Sequence, residues 1–82
     1  MNNHFICLEK VQQLFKLLKK HGYTQQSLLK VLNRKGATHY TSQTHFRLMS
    51  EKGKFEAKFI DIIADYIGKT NASLATQVKN LK

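Results

Sequence analysis

The chain has 82 residues, enough for one domain with a single small core and marginal stability. Its 14 Lys and Arg residues outnumber its 5 Asp and Glu residues, and the net charge of +9 indicates a polyanionic partner. No apolar run approaches the ~18 residues of a membrane span and no signal peptide is visible, so the sequence predicts a cytoplasmic protein without a membrane partner.

The positive charge is unevenly distributed along the chain. Residues 10–54 carry ten basic residues against one acidic residue, Glu51, a net charge of +9. Residues 55–67 carry one lysine against three acidic residues, a net charge of −2. A surface that only kept the protein in solution would mix the two signs more evenly, so the distribution favours nucleic acid as the partner. The alternative is a cationic surface without a nucleic-acid role.

The composition gives no sign of a metal site, a cofactor or catalysis. The single cysteine, Cys7, cannot form an internal disulfide and is expected to be a small buried hydrophobe. The four histidines lack the spacing of metal ligands. No glycine-rich phosphate loop is present, and Asp61 and Asp65 lie one turn apart on the outer face of a predicted helix. We therefore expect neither an enzyme nor a small-molecule substrate.

Hydrophobic spacing predicts a first helix over residues 8–21 and a second that begins at Thr24 and ends within residues 33–36. The apolar side chains of the first helix recur at three- and four-residue steps, as Leu8, Val11, Leu14, Phe15 and Leu18. Gly22 ends the first helix in the left-handed conformation, and Thr24 is a good N-cap for the second. The lead-in is expected to pack back on the core through His4, Phe5 and Ile6.

The third helix is predicted over residues 42–52, with Thr41 or Ser42 as its N-cap. Phe46 and Met49 are its two strong apolar anchors. Two buried side chains are few for a helix held purely by burial, so we expect most of the surface of this helix to be exposed. It turns four polar side chains away from the core, those of Gln43, Thr44, Arg47 and Glu51.

The most hydrophobic helix is predicted over residues 55–67, ended by Gly68. Its apolar face should form the floor of the core, with Phe59, Ile60, Ile63, Tyr66 and Ile67. A short last helix follows over about residues 71–81, capped by Thr70 or Asn71. Its narrow apolar stripe either closes the core or pairs with a second subunit, through Leu74, Val78 and Leu81. The pattern as a whole predicts an all-α bundle of about five helices in a single domain, residues 1–82.

Two stretches carry a resemblance to a known family. In LLKKHGYTQQSLLKVL, residues 17–32, a first helix ends in a glycine and precedes Thr-Gln and a leucine-rich helix. In FRLMSEKGKF, residues 46–55, an acidic residue and a glycine precede a basic position. Both stretches resemble the lambda-repressor and Cro-like family, which implies a compact five-helix fold with a central helix-turn-helix over about residues 24–52. The chain departs from the family at the turn, because Ser27, at the usual small position, lies nine residues before Gly36.

The predicted DNA contacts fall into two groups. Arg47 can pair bidentately with guanine, while Gln43 and Thr44 occupy the first turn, which reaches base edges in such a helix. An ion pair between Arg47 and Glu51 is the alternative. The resemblance implies the same three base contacts and places Gln25 near a phosphate. Phosphate contacts are expected at the start of the second helix and in the loops that flank the third, from Thr24, Gln25, Arg34, Lys35, Lys52 and Lys54.

These observations predict a sequence-specific, DNA-binding regulator of transcription of bacterial, phage or plasmid type. We expect it to bind double-stranded DNA as a homodimer, with the third helix in the major groove. Two alternatives stay open. One is a small basic protein that binds RNA or ribosomes without reading sequence, and the other is a protein-interaction module, such as an adaptor or inhibitor, that engages an acidic partner.

Overall fold

Five α-helices follow one another in the computed structural model, which describes residues 5–82. They are α1 (Leu8–Lys20), α2 (Gln25–Arg34), α3 (Gln43–Glu51), α4 (Ala57–Gly68) and α5 (Ala72–Lys79). Within residues 5–82 the only β-type pairing is an isolated bridge between Phe5 and Glu56. The predicted all-α bundle of five helices is therefore confirmed. No helix in this part of the chain combines the length and the apolar character needed to cross a membrane.

The N-caps of three helices are the residues that the sequence indicates. Thr24 Oγ1 accepts from the Ser27 N–H at 3.1 Å, and Ser27 Oγ accepts from the Thr24 N–H at 3.2 Å, which together form a capping box at α2. At α3, the Ser42 side chain accepts from the His45 N–H at 3.1 Å. At α5 the cap is Asn71 rather than Thr70. Such a cap contributes about 1 kcal/mol, so each fixes where its helix begins.

Two glycines end helices in different ways. Gly22, with φ +89°, takes the left-handed conformation predicted for it after α1. Gly68 instead remains helical as the last residue of α4. A Cβ at Gly68 would lie 3.5 Å from the Cβ of Ala75, in ordinary van der Waals contact. A methyl group at position 68 would therefore fit between α4 and α5.

The floor of the core is formed by α4, as predicted, with one exception. Its buried residues are Ala57, Phe59, Ile60, Ile63, Ala64 and Ile67. Tyr66, predicted to belong to this face, is 37% exposed, and its ring meets that of Tyr23 edge to face at a centroid distance of 6.1 Å. The prediction for Tyr66 was wrong because this ring packs against the start of α2 at the surface rather than against the interior.

An aromatic cluster joins α3 to the rest of the bundle. The Phe46 ring lies 5.9 Å from the Phe15 ring of α1 and 6.1 Å from that of Phe55, which is fully buried just before α4. Ser50 is also buried, and its hydroxyl donates to the Phe46 carbonyl at 2.9 Å. Met49 is only partly buried. Phe46 is thus the anchor of α3, as predicted, but its companion is Ser50 rather than Met49.

The last helix closes the core and does not present its apolar stripe. Leu74 and Val78 are fully buried in the interior, and Leu81 packs partly against it. Side chains already covered within one chain cannot form a subunit contact. The proposed dimer surface of Leu74, Val78 and Leu81 is therefore wrong for the two buried residues. The other prediction for this stripe, that it closes the core, is confirmed.

The segment before α1 enters the core through one residue. The Ile6 N–H donates to the Phe55 carbonyl at 2.8 Å, and Ile6 is buried. Extended backbone alternates its side chains, so the neighbouring Phe5 and Cys7 are exposed. The predicted burial is correct for Ile6 and wrong for Phe5 and for Cys7, which is a free, exposed cysteine. His4 lies outside the described residues.

We predict that Phe46→Ala lowers the free energy of unfolding by about 3–5 kcal/mol, because it removes a fully buried ring from the aromatic cluster. Urea denaturation followed by circular dichroism measures the loss. Leu48→Ala, on the exposed side of the same helix, is the matched control and should change stability by less than about 0.5 kcal/mol. Equal losses in both variants would contradict the assignment of Phe46 as the anchor of α3.

Candidate nucleic-acid interface

The three residues predicted to contact bases all lie at the surface of α3. Gln43, Thr44 and Arg47 are exposed, as the helical projection indicates. The ion pairs within residues 5–82 are Lys58–Glu56 and Lys82–Asp61. The alternative predicted for Arg47, an ion pair with Glu51, is therefore not among the ion pairs of the described residues. The Arg47 guanidinium keeps its donors available for a ligand.

A groove of about 530 Å³ runs between α1, the start of α2 and α3. Phe15 and Leu28 contribute its apolar surface. Its polar lining comes from all three helices, with Lys16 and Lys19 from α1, Thr24 and Gln25 from the start of α2, and Gln43 and Arg47 from α3. Among the described residues that line it, three are cations and none is a carboxylate. The groove therefore favours an anion, and it begins beside the exposed face of α3.

Lys16 and Lys19 are the residues that the sequence analysis missed. Neither lysine is among the predicted DNA contacts. Their three-residue spacing puts them on one side of the helix, next to Phe15. Because Phe15 packs against Phe46 of α3, that side of α1 faces the groove. The sequence does not show that Phe15 contacts α3, and this contact is what brings the two lysines to the groove.

The start of α2 contributes polar groups of two kinds. Thr24 Oγ1 is already engaged as the N-cap, so the side chain serves the helix first. The carboxamide oxygen of Gln25 is buried and has no hydrogen-bond partner among the described residues. A buried acceptor left without a donor costs about 1–3 kcal/mol. Gln25 and Arg47 line the same groove and also a smaller adjoining depression.

The remaining predicted phosphate contacts lie elsewhere. Arg34 and Lys35 line a separate depression between α2 and α4, together with Asp65 and Tyr66. Lys52 is exposed at the C-terminal end of α3. The Lys54 ammonium lies 5.4 Å from the centre of the exposed Phe5 ring, a cation–π contact. The structure thus groups Gln25 with Arg47 and the two α1 lysines, and it does not bring Arg34 and Lys35 to the same groove.

The connection between α2 and α3 is long but well held. Residues 35–42 separate the two helices, whereas a helix-turn-helix uses a turn of about 3–4 residues. The Asn33 carboxamide donates to the Tyr40 carbonyl at 2.9 Å and accepts a hydrogen bond from the hydroxyl of Thr38, which is buried. One side chain at the end of α2 therefore fixes two points of the loop. Nothing in the local pattern marks Asn33 for this role.

Tyr40 joins this loop to α3. Its ring lies 4.8 Å from the His45 ring in an edge-to-face arrangement and 6.0 Å from the Phe46 ring. Tyr40 therefore covers the start of α3. Burial raises the pKa of the Tyr40 hydroxyl above its ordinary value of 10.0, and the negative charge of Glu56 raises it further.

Comparison of the chain with family models, curated proteins and solved structures gives no match. A functional assignment therefore depends on the chemistry of the surface formed by α3 and the adjoining groove.

The raised pKa of Tyr40 predicts a loss of stability in alkaline solution. The folded state holds the Tyr40 hydroxyl proton more tightly than the unfolded state does. The contribution of the neutral Tyr40 side chain to the free energy of unfolding is therefore fully present below about pH 10. It is lost as the pH rises through the folded-state pKa. Tyr40→Phe keeps the ring but has no proton to lose. Its free energy of unfolding should fall less steeply above about pH 10 than that of the wild type, and parallel curves from urea denaturation would contradict the prediction.

Proposed function

We propose that the protein is a sequence-specific DNA-binding regulator of transcription, which inserts α3 into the major groove of duplex DNA. The observation that carries this proposal is the position of α3. Its exposed polar side chains adjoin a groove that contains three cations and no carboxylate among its described lining residues. A polyanion with readable base edges fits both parts of this surface.

The shape and chemistry of α3 suit base recognition. An α-helix with its side chains is about 10–12 Å wide, close to the width of the major groove of about 12 Å. Gln43 and Thr44 occupy the first turn of α3, which is the part that reaches base edges in such complexes. In the proposed complex Arg47 pairs with guanine O6 and N7, and Gln43 pairs with adenine N6 and N7.

The groove beside α3 supplies contacts to the DNA backbone. Lys16 and Lys19 neutralise phosphates, and the first turn of α2 offers backbone N–H groups at the positive end of a helix. Such contacts fix the register of the protein on the duplex but carry no sequence information. Arg34, Lys35, Lys52 and Lys54 stay predicted phosphate contacts from other parts of the surface. Two copies on a palindromic site are expected, joined by a surface other than the buried Leu74 and Val78.

Arg47 tests the readout of sequence. Selection from a random duplex pool first gives the preferred site. We expect Arg47→Ala to weaken binding to that site by about 5- to 150-fold and to relax the preference at one base position. Fluorescence anisotropy with the selected duplex and its single-base variants measures both effects.

Arg34→Ala is the matched control, because Arg34 is also exposed but lines a different depression. It should leave the base preference unchanged. Two results would contradict the proposal. If Arg47→Ala weakened all duplexes and single-stranded RNA equally, the protein would be a non-specific nucleic-acid binder. If the wild type selected no duplex at all, the protein-interaction alternative would be favoured.

The two α1 lysines test the contacts to the backbone. Each phosphate contact contributes about 0.9 to the slope of log K against log salt concentration, so the double variant Lys16→Gln, Lys19→Gln should lower this slope by about 1–2. The loss should be the same for selected and random duplexes. The double variant Lys69→Gln, Lys79→Gln removes equal charge from a depression between α4 and α5 and should leave the slope nearly unchanged. Equal effects of the two double variants would show that only total charge matters.

A further inference from the structure

The exposed side of α3 carries one large apolar side chain among polar ones. Leu48 is 45% exposed, more than any other large hydrophobic residue in residues 5–82. It belongs neither to the core cluster of the described residues nor to the partly buried side chains packed against it. Phe5 and Tyr66, which are also exposed, have an internal partner in Lys54 and Tyr23. Leu8, 38% exposed at the start of α1, likewise belongs to neither group. Leu48 is thus one of two exposed leucines that the core cluster of the described residues leaves uncovered, and it is the one that lies on α3.

The position of Leu48 on α3 is as informative as its exposure. With 3.6 residues per turn, Leu48 lies on the side of α3 opposite the buried Phe46 and Ser50. It follows Thr44 by four residues, so these two side chains share one face. Arg47 is its immediate neighbour along the chain. A duplex seated on the face that Thr44 and Leu48 share meets both of these side chains.

We propose that Leu48 is a specificity-determining residue that contacts the C5-methyl group of a thymine in the major groove. This inference rests on the proposed function. The major-groove edges of the bases are polar except at thymine, whose methyl group is the one apolar feature that they present. A leucine on the face that reads the bases therefore favours thymine over cytosine at the position it covers, next to the base pair read by Arg47.

A second copy of this chain is a less suitable occupant of this surface. A stable subunit contact buries roughly 1,000 Å² or more, which a single leucine side chain cannot supply. Arg47 and Lys52 beside it are cations, whereas Glu51, three residues further on, is an exposed carboxylate. The surface therefore keeps a net positive charge, and two such surfaces brought together repel each other. The same cations attract DNA. The charge around Leu48 therefore favours a duplex over a second protein surface.

The test uses deoxyuridine, which lacks only the C5-methyl group of thymidine. Each thymidine of the selected site is replaced in turn by deoxyuridine. For the wild type, one replacement should weaken binding by about 3- to 5-fold, the effect expected for removing one buried methyl group. Leu48→Ala should bind that deoxyuridine duplex and the thymidine duplex equally. Leu8→Ala, which truncates an exposed leucine on α1, is the matched control and should keep the difference.

Three results would overturn the inference while the proposed function stands. The wild type could show no thymidine–deoxyuridine difference at any position. Leu48→Ala could keep the full difference while Thr44→Ser, which removes only a methyl group, abolishes it; the contact would then belong to Thr44. Leu48→Ala could also weaken all duplexes equally and convert a dimer to a monomer in sedimentation, which would make Leu48 a subunit contact. A wild type that selects no duplex would overturn the proposed function, and the inference with it.

Discussion

The packing of the Phe46 ring against Phe15 and Phe55 is the contact on which the display of α3 depends. A helix of nine residues is too short to be stable in water without tertiary contacts. Phe46 supplies most of the buried surface of α3. Ser42 accepts a hydrogen bond from the His45 N–H at the start of the helix, and the Ser50 hydroxyl donates one to the Phe46 carbonyl within it. Because a single large side chain holds the helix, most of its surface is left free to contact a ligand.

The long connection before α3 makes a second contact necessary. A turn of three or four residues would itself restrict the angle between two helices, but residues 35–42 are too many to do so. Asn33 holds this loop at Thr38 and Tyr40, and the Tyr40 ring then packs against Phe46. The orientation of α3 is therefore set by a hydrogen-bonded side chain and by aromatic packing. This arrangement differs from the short turn of the family that the sequence resembles.

The sequence predicted the features that depend on near neighbours in the chain. Helix bounds, the Thr24 and Ser42 caps and the left-handed Gly22 follow from periodicity and from local hydrogen bonding. The errors concern contacts between distant segments. The stripe of α5 has the same pattern whether it meets α4 or a second subunit, and only the fold shows that Val78 is covered. Likewise, the charge of Lys16 is evident from the sequence, but its place beside α3 depends on which helix Phe15 contacts.

The distribution of acidic residues bears on how a polyanion would approach the proposed site. Asp61 pairs with Lys82, and Asp65 lines the depressions that α4 forms with α2 and with α5. Neither lines the groove beside α3, and the acidic residue that lines the smaller adjoining depression with Arg47 is Glu51. A molecule with separated charges is oriented by the field of its partner before contact, so DNA would meet the cationic side first. Charge of this kind accelerates association with any nucleic acid equally. In the proposed complex, discrimination between sequences then comes from the few side chains on the exposed face of α3, with Leu48 as well as Arg47 among them.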